Sequence, residues 1–338
     1  MGTVDRVIHN RGKVSPQAYE KVLAALNETG YKPNLLARTL GSNKTYLIAA
    51  VVPCPDPDEY WKQSAEGIAE SEEEWAQYNI RINSYYFDLY DKNSYKTAAQ
   101  QALNAGPDAI LTAPIFYDEA VDFFGSLDSK EIPYVFYNTD IPILKPVCFI
   151  GQDLYQSGKL GAELLDISCN NGGSFAILHI YEDIHNSIHL AEKERGFIDY
   201  FTEKNNPNYK AIGIDLSAPK EPSLEIELSS ILSDSDVKGL LVTTSKGLHM
   251  TASYLEKHNR KDIELVGYDL LPENVKYLRK GYIRFLIHQN PRKQASQGIA
   301  YLANLLLFNK PTPEKELFPL QIISRQNLDS FTGSNNHH

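Results

Sequence analysis

A chain of 338 residues, 42 % of them hydrophobic, is long enough for about two domains with full cores. It has no apolar run of roughly 18 residues and no charged-then-apolar leader, so the sequence predicts no membrane span or secretory signal and a cytoplasmic location. Cys54, Cys148 and Cys169 are odd in number and lack Cys-x-x-Cys spacing, which argues against disulfides and zinc, while the net charge of −10 disfavours nucleic acid only until its distribution is read.

Residues 1–46 carry seven Lys/Arg against three acids, +4, which leaves −14 for the rest: a small basic head on an acidic body. In the head, Thr3, Val4, Val7 and Ile8 form an apolar helical stripe, with Arg6, His9, Asn10, Arg11 and Lys13 off it, where phosphates and base edges could be met. Ser15-Pro16 then opens a second helix with Tyr19, Val22, Leu23 and Leu26 at helical spacing, stopped at Gly30. A third element, Asn34 to Leu40 before Gly41, is too short to be stable alone, so it is expected to order only on a partner.

From Tyr46 onward, short apolar runs alternate with amphipathic stretches, the pattern of α/β architecture with parallel sheets. Expected strands are Tyr46–Pro53, Ile80–Phe87, Ala109–Pro114, Tyr134–Tyr137, Phe149–Gly151, Ser174–Ile180, Tyr209–Ile214, Gly239–Thr243, Glu264–Tyr268 and Ile283–His288. Between them fall helices such as Tyr60–Tyr78, Tyr95–Ala105, Tyr155–Cys169, Ile188–Glu203, Gly247–His258 and Pro291–Phe308. The alternation suggests two similar sheets without an internal sequence repeat, joined near Gly172-Gly173. Ligands of doubly wound sheets sit beyond the carboxyl ends of the strands, so two such edges face to face would form a cleft.

Gly2-Thr3-Val4-Asp5-Arg6-Val7, Val14-Ser15, Tyr31-Lys32-Pro33-Asn34 and Leu36-Ala37-Arg38-Thr39-Leu40 together resemble the lactose-repressor (LacI/GalR) family of transcription regulators. Phe149 to Asp153, Gly196-Phe197, Val266 to Asp269 and Ile287 to Gln289 extend the resemblance along the chain. It implies a partial all-α helix-turn-helix headpiece and hinge helix (1–46), then a two-lobed type I periplasmic-binding-protein-like domain of two doubly wound parallel sheets (47–338). The implied lobes are about 47–170 with 290–320, and 171–289 with 321–332. DNA contacts fall on Gly2, Thr3, Arg6, Ser15, Tyr19, Asn34, Ala37 and Arg38, with Leu40 as a minor-groove wedge. The family's domain begins with a helix and a turn that precede the recognition helix, whereas this sequence starts inside that turn. The first helix is therefore expected to be poorly ordered, unable to bury Val4, Val7 and Ile8, and weak on operator DNA.

The resemblance also places Asp153, Lys193, Thr244, Asp269 and Gln289 around a sugar-like effector, with Asp153 and Asp269 open to the alternative of helix caps. Lys193 stands where the family carries Arg, and Arg195 should point elsewhere. Other strand-end loops add Tyr60, Trp61, Phe116, Asn138 and Asn186, the aromatics as stacking surfaces or as core. His185 and His189 share a helical face but read as a surface or cleft-edge pair, and no metal or cofactor is expected. No phosphate loop, dinucleotide turn or nucleophile elbow occurs, so an enzyme is not expected. The expected protein is a regulator whose small carbohydrate or polyol effector modulates binding to a pseudo-palindromic operator. It would act as a homodimer, with a tetramer as the larger alternative; a pure solute receptor is the competing reading.

Overall fold

The computed structural model describes residues 3–8, 14–29, 44–56, 58–127, 131–169, 172–181, 186–216 and 221–332. The head contributes α1 (Thr3–Ile8) and α2 (Pro16–Thr29). Ser15 starts α2, its carbonyl accepting from the Tyr19 N–H at 2.9 Å. The third element of the head, 34–41, lies outside the described residues. Of the apolar stripe, Val4 is exposed, but Val7 is buried beside α2, so the expectation of a wholly unburied first helix is corrected there. Two short helices suffice to cover one valine.

Lobe one runs β1 (Tyr46–Pro53), α3 (Glu59–Ala76), β2 (Ile80–Phe87), α4 (Lys92–Asn104), β3 (Ala109–Thr112), α5 (Tyr117–Leu127), β4 (Tyr134–Tyr137) and β5 (Cys148–Gly151). After α6 (Leu154–Ser168), lobe two runs β6 (Gly173–Ile180), α7 (Ile188–Glu203), β7 (Tyr209–Leu216), α8 (Glu221–Ile231), β8 (Val237–Val242), α9 (Ser245–Lys257), β9 (Glu264–Tyr268), α10 (Pro272–Lys280) and β10 (Phe285–His288). The chain returns to lobe one with α11 (Pro291–Phe308) and β11 (Lys315–Leu317), then closes lobe two with β12 (Gln321–Ile323) and α12 (Asp329–Thr332).

The two sheets have the same winding, β11-β5-β4-β3-β1-β2 and β12-β10-β9-β8-β6-β7. All pairs are parallel except β10 with β12. Central strands such as β3 and β4 are buried along their whole length, as a sheet covered on both faces requires. All ten expected strands are present. The two short edge strands β11 and β12 were not anticipated, because three residues with alternating exposure give no apolar run.

The first passage between lobes is where the expectation fails. Helix α6 packs on α7 and on β8, β9 and β10, so it belongs to lobe two, and the chain crosses at Gln152–Asp153 rather than near residue 170. Amphipathicity shows that α6 has a buried face, but not which sheet it covers. Glycine decides it: a side chain on Gly158 would collide with the Lys193 carbonyl, and one on Gly196 with the Tyr155 carbonyl. Their absence lets α6 and α7 nest backbone to backbone. The other passages fall at Gln289–Asn290, where Asn290 caps α11 from a left-handed φ of 57°, and at 318–320 between β11 and β12.

Candidate ligand-binding cleft

The carboxyl ends of both sheets face one another, and each carries the same local device. In lobe one, β4 ends Tyr137-Asn138; in lobe two, β9 ends Tyr268-Asp269. Both tyrosines are fully buried. The Tyr137 hydroxyl pairs with Ser64 Oγ at 2.7 Å and that of Tyr268 with Ser157 Oγ at 3.0 Å. The residues that follow are left-handed, Asn138 at φ 67° and Asp269 at φ 68°. Asn and Asp are the non-glycine residues that tolerate this region best. Each donates its backbone N–H to the next strand, Asn138 to Ile150 and Asp269 to Ile287, which turns the side chain out over the sheet end.

Asp269 is 0 % exposed. Its Oδ1 accepts from the Gln289 N–H at 3.0 Å; its Oδ2 accepts from Gln289 Nε2 at 2.7 Å and Ser245 Oγ at 2.9 Å. A carboxylate this deep persists because ionised oxygens are met by several donors. Across the cleft, the Tyr60 hydroxyl accepts from Asn138 Nδ2 at 2.5 Å. Burial, then the negative charge of Asp269, pushes the Tyr60 phenol well above its ordinary pKa, so it stays protonated and can donate. Lys193 is buried with Nζ 3.8 Å from the centre of the Tyr268 ring, a cation–π contact. Thr244 Oγ1 is buried without a hydrogen-bond partner. Gln294 on α11 ties the two sides together: its Oε1 accepts from the Asn138 N–H at 3.0 Å and its Nε2 donates to the Gln289 carbonyl at 2.8 Å.

Tyr60, Asn138, Lys193, Thr244, Asp269 and Gln289 thus gather at the strand ends. The remaining residues expected there occupy other positions. Asp153 is exposed and caps α6, accepting from the Gln156 N–H at 2.9 Å. Trp61 lies within the lobe-one core, edge-on to Tyr60 with ring centres 4.8 Å apart. Phe116 packs on Phe87 and Tyr95 at the border of the same core. Asn186 spans the lobes: its Oδ1 accepts from the Asp118 N–H at the start of α5, and its Nδ2 donates to Glu119, both at 3.2 Å. Leu271, also from lobe two, packs into the lobe-one core. The lobes therefore touch on both sides of the cleft. Arg195 points outward, stacked on Tyr155 and paired with Glu192, as its spacing from Lys193 predicts. His189 is buried at the start of α7; His185 lies outside the described residues.

His288 lies beside Asp269, with Nδ1 3.8 Å from Oδ1. Burial holds its pKa below the usual histidine value, with the Asp269 carboxylate opposing in part. The unfolded chain therefore takes up a proton at a higher pH than the fold does. The neutral ring's contribution to stability is complete above the ordinary histidine pKa and is lost as pH falls below it. Urea unfolding from pH 8 to pH 5 is expected to show a shallower loss of stability for His288→Leu than for the parent chain; equal slopes would contradict this.

Residues 48–310 match the family model described as a periplasmic binding protein domain, and residues 1–34 match that of bacterial regulatory proteins, lacI family. The chain belongs to the periplasmic-binding-protein domain family and carries a lacI-type head. The curated transcriptional regulator DegA of Bacillus subtilis is 26 % identical over 169 residues, half of this chain and 49 % of DegA. The sucrose operon repressor of Streptococcus mutans aligns over 96 % of this chain and 95 % of its own length at 22 % identity. A solved structure assigned to a LacI transcriptional regulator of Bacteroides fragilis superposes with a TM-score of 0.78 at 29 % identity, covering 85 % of this chain and 99 % of that one.

Of the expected DNA-contacting residues, Thr3, Arg6, Ser15 and Tyr19 are exposed on the head. Gly2, Asn34, Ala37, Arg38 and Leu40 lie outside the described residues. Sequence reading missed Ser245, Gln294 and Leu271, which hold or border the cleft. Ser245, directly after Thr244 at a strand end, was within reach of the same logic; a lone glutamine on α11 gave no signal. No helix among the described residues is long and apolar enough to cross a membrane.

Proposed function

We propose that this chain is a ligand-responsive transcriptional regulator whose interlobe cleft holds a small neutral carbohydrate or polyol. The observation that carries this is Asp269: a buried carboxylate at a strand end, facing Gln289 and within electrostatic reach of Tyr60 on the opposite lobe. Neighbouring hydroxyls need an acceptor with two oxygens, and adjacent N–H and O–H groups complete a polyol's pairing. Thr244 Oγ1, buried and unpartnered, supplies one more such group. Lys193 serves as a donor held against Tyr268, and Asp153 is left to its helix. Residues 1–46 act as the DNA-binding head and hinge, the remainder as the effector domain, with no catalytic role.

Effector binding alters the lobe angle, and the lobe angle alters whether two heads of a homodimer can engage a pseudo-palindromic operator together. Such coupling is reciprocal: a sugar that weakens operator binding is itself weakened by operator, by the same factor. Selection from a random duplex pool, followed by titration of the selected duplex with and without a carbohydrate panel, tests the reading. We expect a two-fold symmetric site whose affinity changes about fivefold or more with one sugar. Sugar binding with no selected duplex would instead support a solute receptor, and turnover of a sugar would overturn both.

A further inference from the structure

A cavity of about 390 Å³ lies beside the passages between lobes, distinct from the cleft and lined by both lobes: Phe149, Pro142 and Leu317 from one, Leu154 and Ile188 from the other. Its rim charges are already satisfied. Asp140 pairs with Lys315 at 2.6 Å, Glu192 with Arg195 at 2.5 Å, and Asp153 caps α6. What remains is apolar surface and one group, Gln152. This residue sits on the first passage between lobes and lines the cavity while being 3 % exposed. Its Nε2 donates to the His288 carbonyl and to the Pro319 carbonyl, both at 2.9 Å, so one side chain pins all three passages together. Its Oε1 is buried with no partner, although a buried amide oxygen ordinarily has one.

We propose that this cavity is a second ligand site, for a small, uncharged, largely apolar molecule carrying one N–H or O–H donor that completes Gln152. The volume falls within the range of small-molecule pockets, about 300–1,000 Å³. Ions gain little there, since Asp140, Lys315 and Glu192 are paired already and Asp153 is engaged as the α6 cap. Because both lobes line the cavity in the arrangement where Asn186 bridges to α5, a molecule filling it favours that arrangement over an opened one. The site therefore acts on the hinge without occupying the cleft.

Indole and 1-methylindole serve as probes, alike in apolar body but differing in the N–H. Isothermal titration of the intact chain is expected to show saturable indole binding and 1-methylindole binding weaker by about tenfold or more, the factor of one buried hydrogen bond. Ala191→Trp and Pro142→Trp, exposed positions that fill the cavity from opposite lobes, are each expected to abolish indole binding while leaving the melting temperature unchanged. Bound indole should slow hydrogen exchange at the Asp118 amide, which Asn186 holds. Absence of saturable indole binding, equal affinity for both probes, or undiminished binding by both filled variants would overturn the site. Unchanged exchange at Asp118 would overturn its action on the hinge.

Discussion

Replacing Asp269 with Asn is expected to weaken effector binding by about 100-fold while costing the fold only about 1–3 kcal/mol. The reason lies in the donors around it. Gln289 N–H points at Oδ1, whereas Gln289 Nε2 and Ser245 Oγ point at Oδ2. An Asn side chain fits the same space but must turn its NH₂ toward one of these donors. The Gln289 amide can flip and the Ser245 hydroxyl can rotate, so the folded state recovers part of the loss. A polyol hydroxyl can also turn to accept, but it loses the charge on its partner. Two charge-assisted hydrogen bonds at about 1.5–3 kcal/mol each become weaker neutral ones, and 2.8 kcal/mol corresponds to about a hundredfold. Asp269→Ala is expected to behave differently, because it leaves the Gln289 N–H buried without an acceptor. That variant should lose about 3 kcal/mol or more of stability along with binding. Chemical denaturation together with titration of the sugar identified by the panel separates the two variants. An Asn variant that binds the effector as tightly as the parent would show that the carboxylate only braces Gln289.

How much of this was legible beforehand follows from what leaves a mark on a sequence. Strand ends did, because buried strands are apolar runs and the residues just after them face the cleft; that logic found Asn138, whereas Thr244, Asp269 and Gln289 came from the family resemblance. The alternation of elements suggested two similar sheets, but their shared detail left almost no mark. Its trace is a Tyr-Asn at the end of β4 and a Tyr-Asp at the end of β9, two residues long, and only matching strand order makes the pair meaningful. Asp153 illustrates the opposite case. A carboxylate directly before a helix serves as a cap or as a ligand with the same local pattern, and only its exposure and its bond to Gln156 separate the two. Gln152 and Gln294 were invisible because their importance lies in which distant carbonyls they reach. The assignment of α6 to lobe two was hidden for the same reason: small residues such as Gly158 permit contact without naming the partner.

That glycine contact carries the second large effect. Gly158→Ala and Gly196→Ala are each expected to destabilise the chain by about 3 kcal/mol or more. In an ordinary exposed helix the same change stabilises by up to about 1 kcal/mol, since alanine is the better helix former. Gly125 on α5 is such a position, with no atom within 4 Å of where a side chain would stand. Gly125→Ala is therefore the internal control, expected to be neutral or slightly stabilising. At Gly158 and Gly196 the obstacles are the carbonyls of Lys193 and Tyr155, main-chain groups within helices, and no rotamer change moves them aside. The two helices have to part along their length, which opens space beneath Leu165 and Phe197 in the lobe-two core. Binding should suffer as well at position 158, because the displaced carbonyl belongs to Lys193 and its shift would draw the ammonium off the Tyr268 ring. Thermal melts of the three variants, with sugar titration of the Gly158 variant below its melting temperature, check both parts. If all three alanine variants melt alike, the nesting of α6 on α7 is not what fixes lobe two.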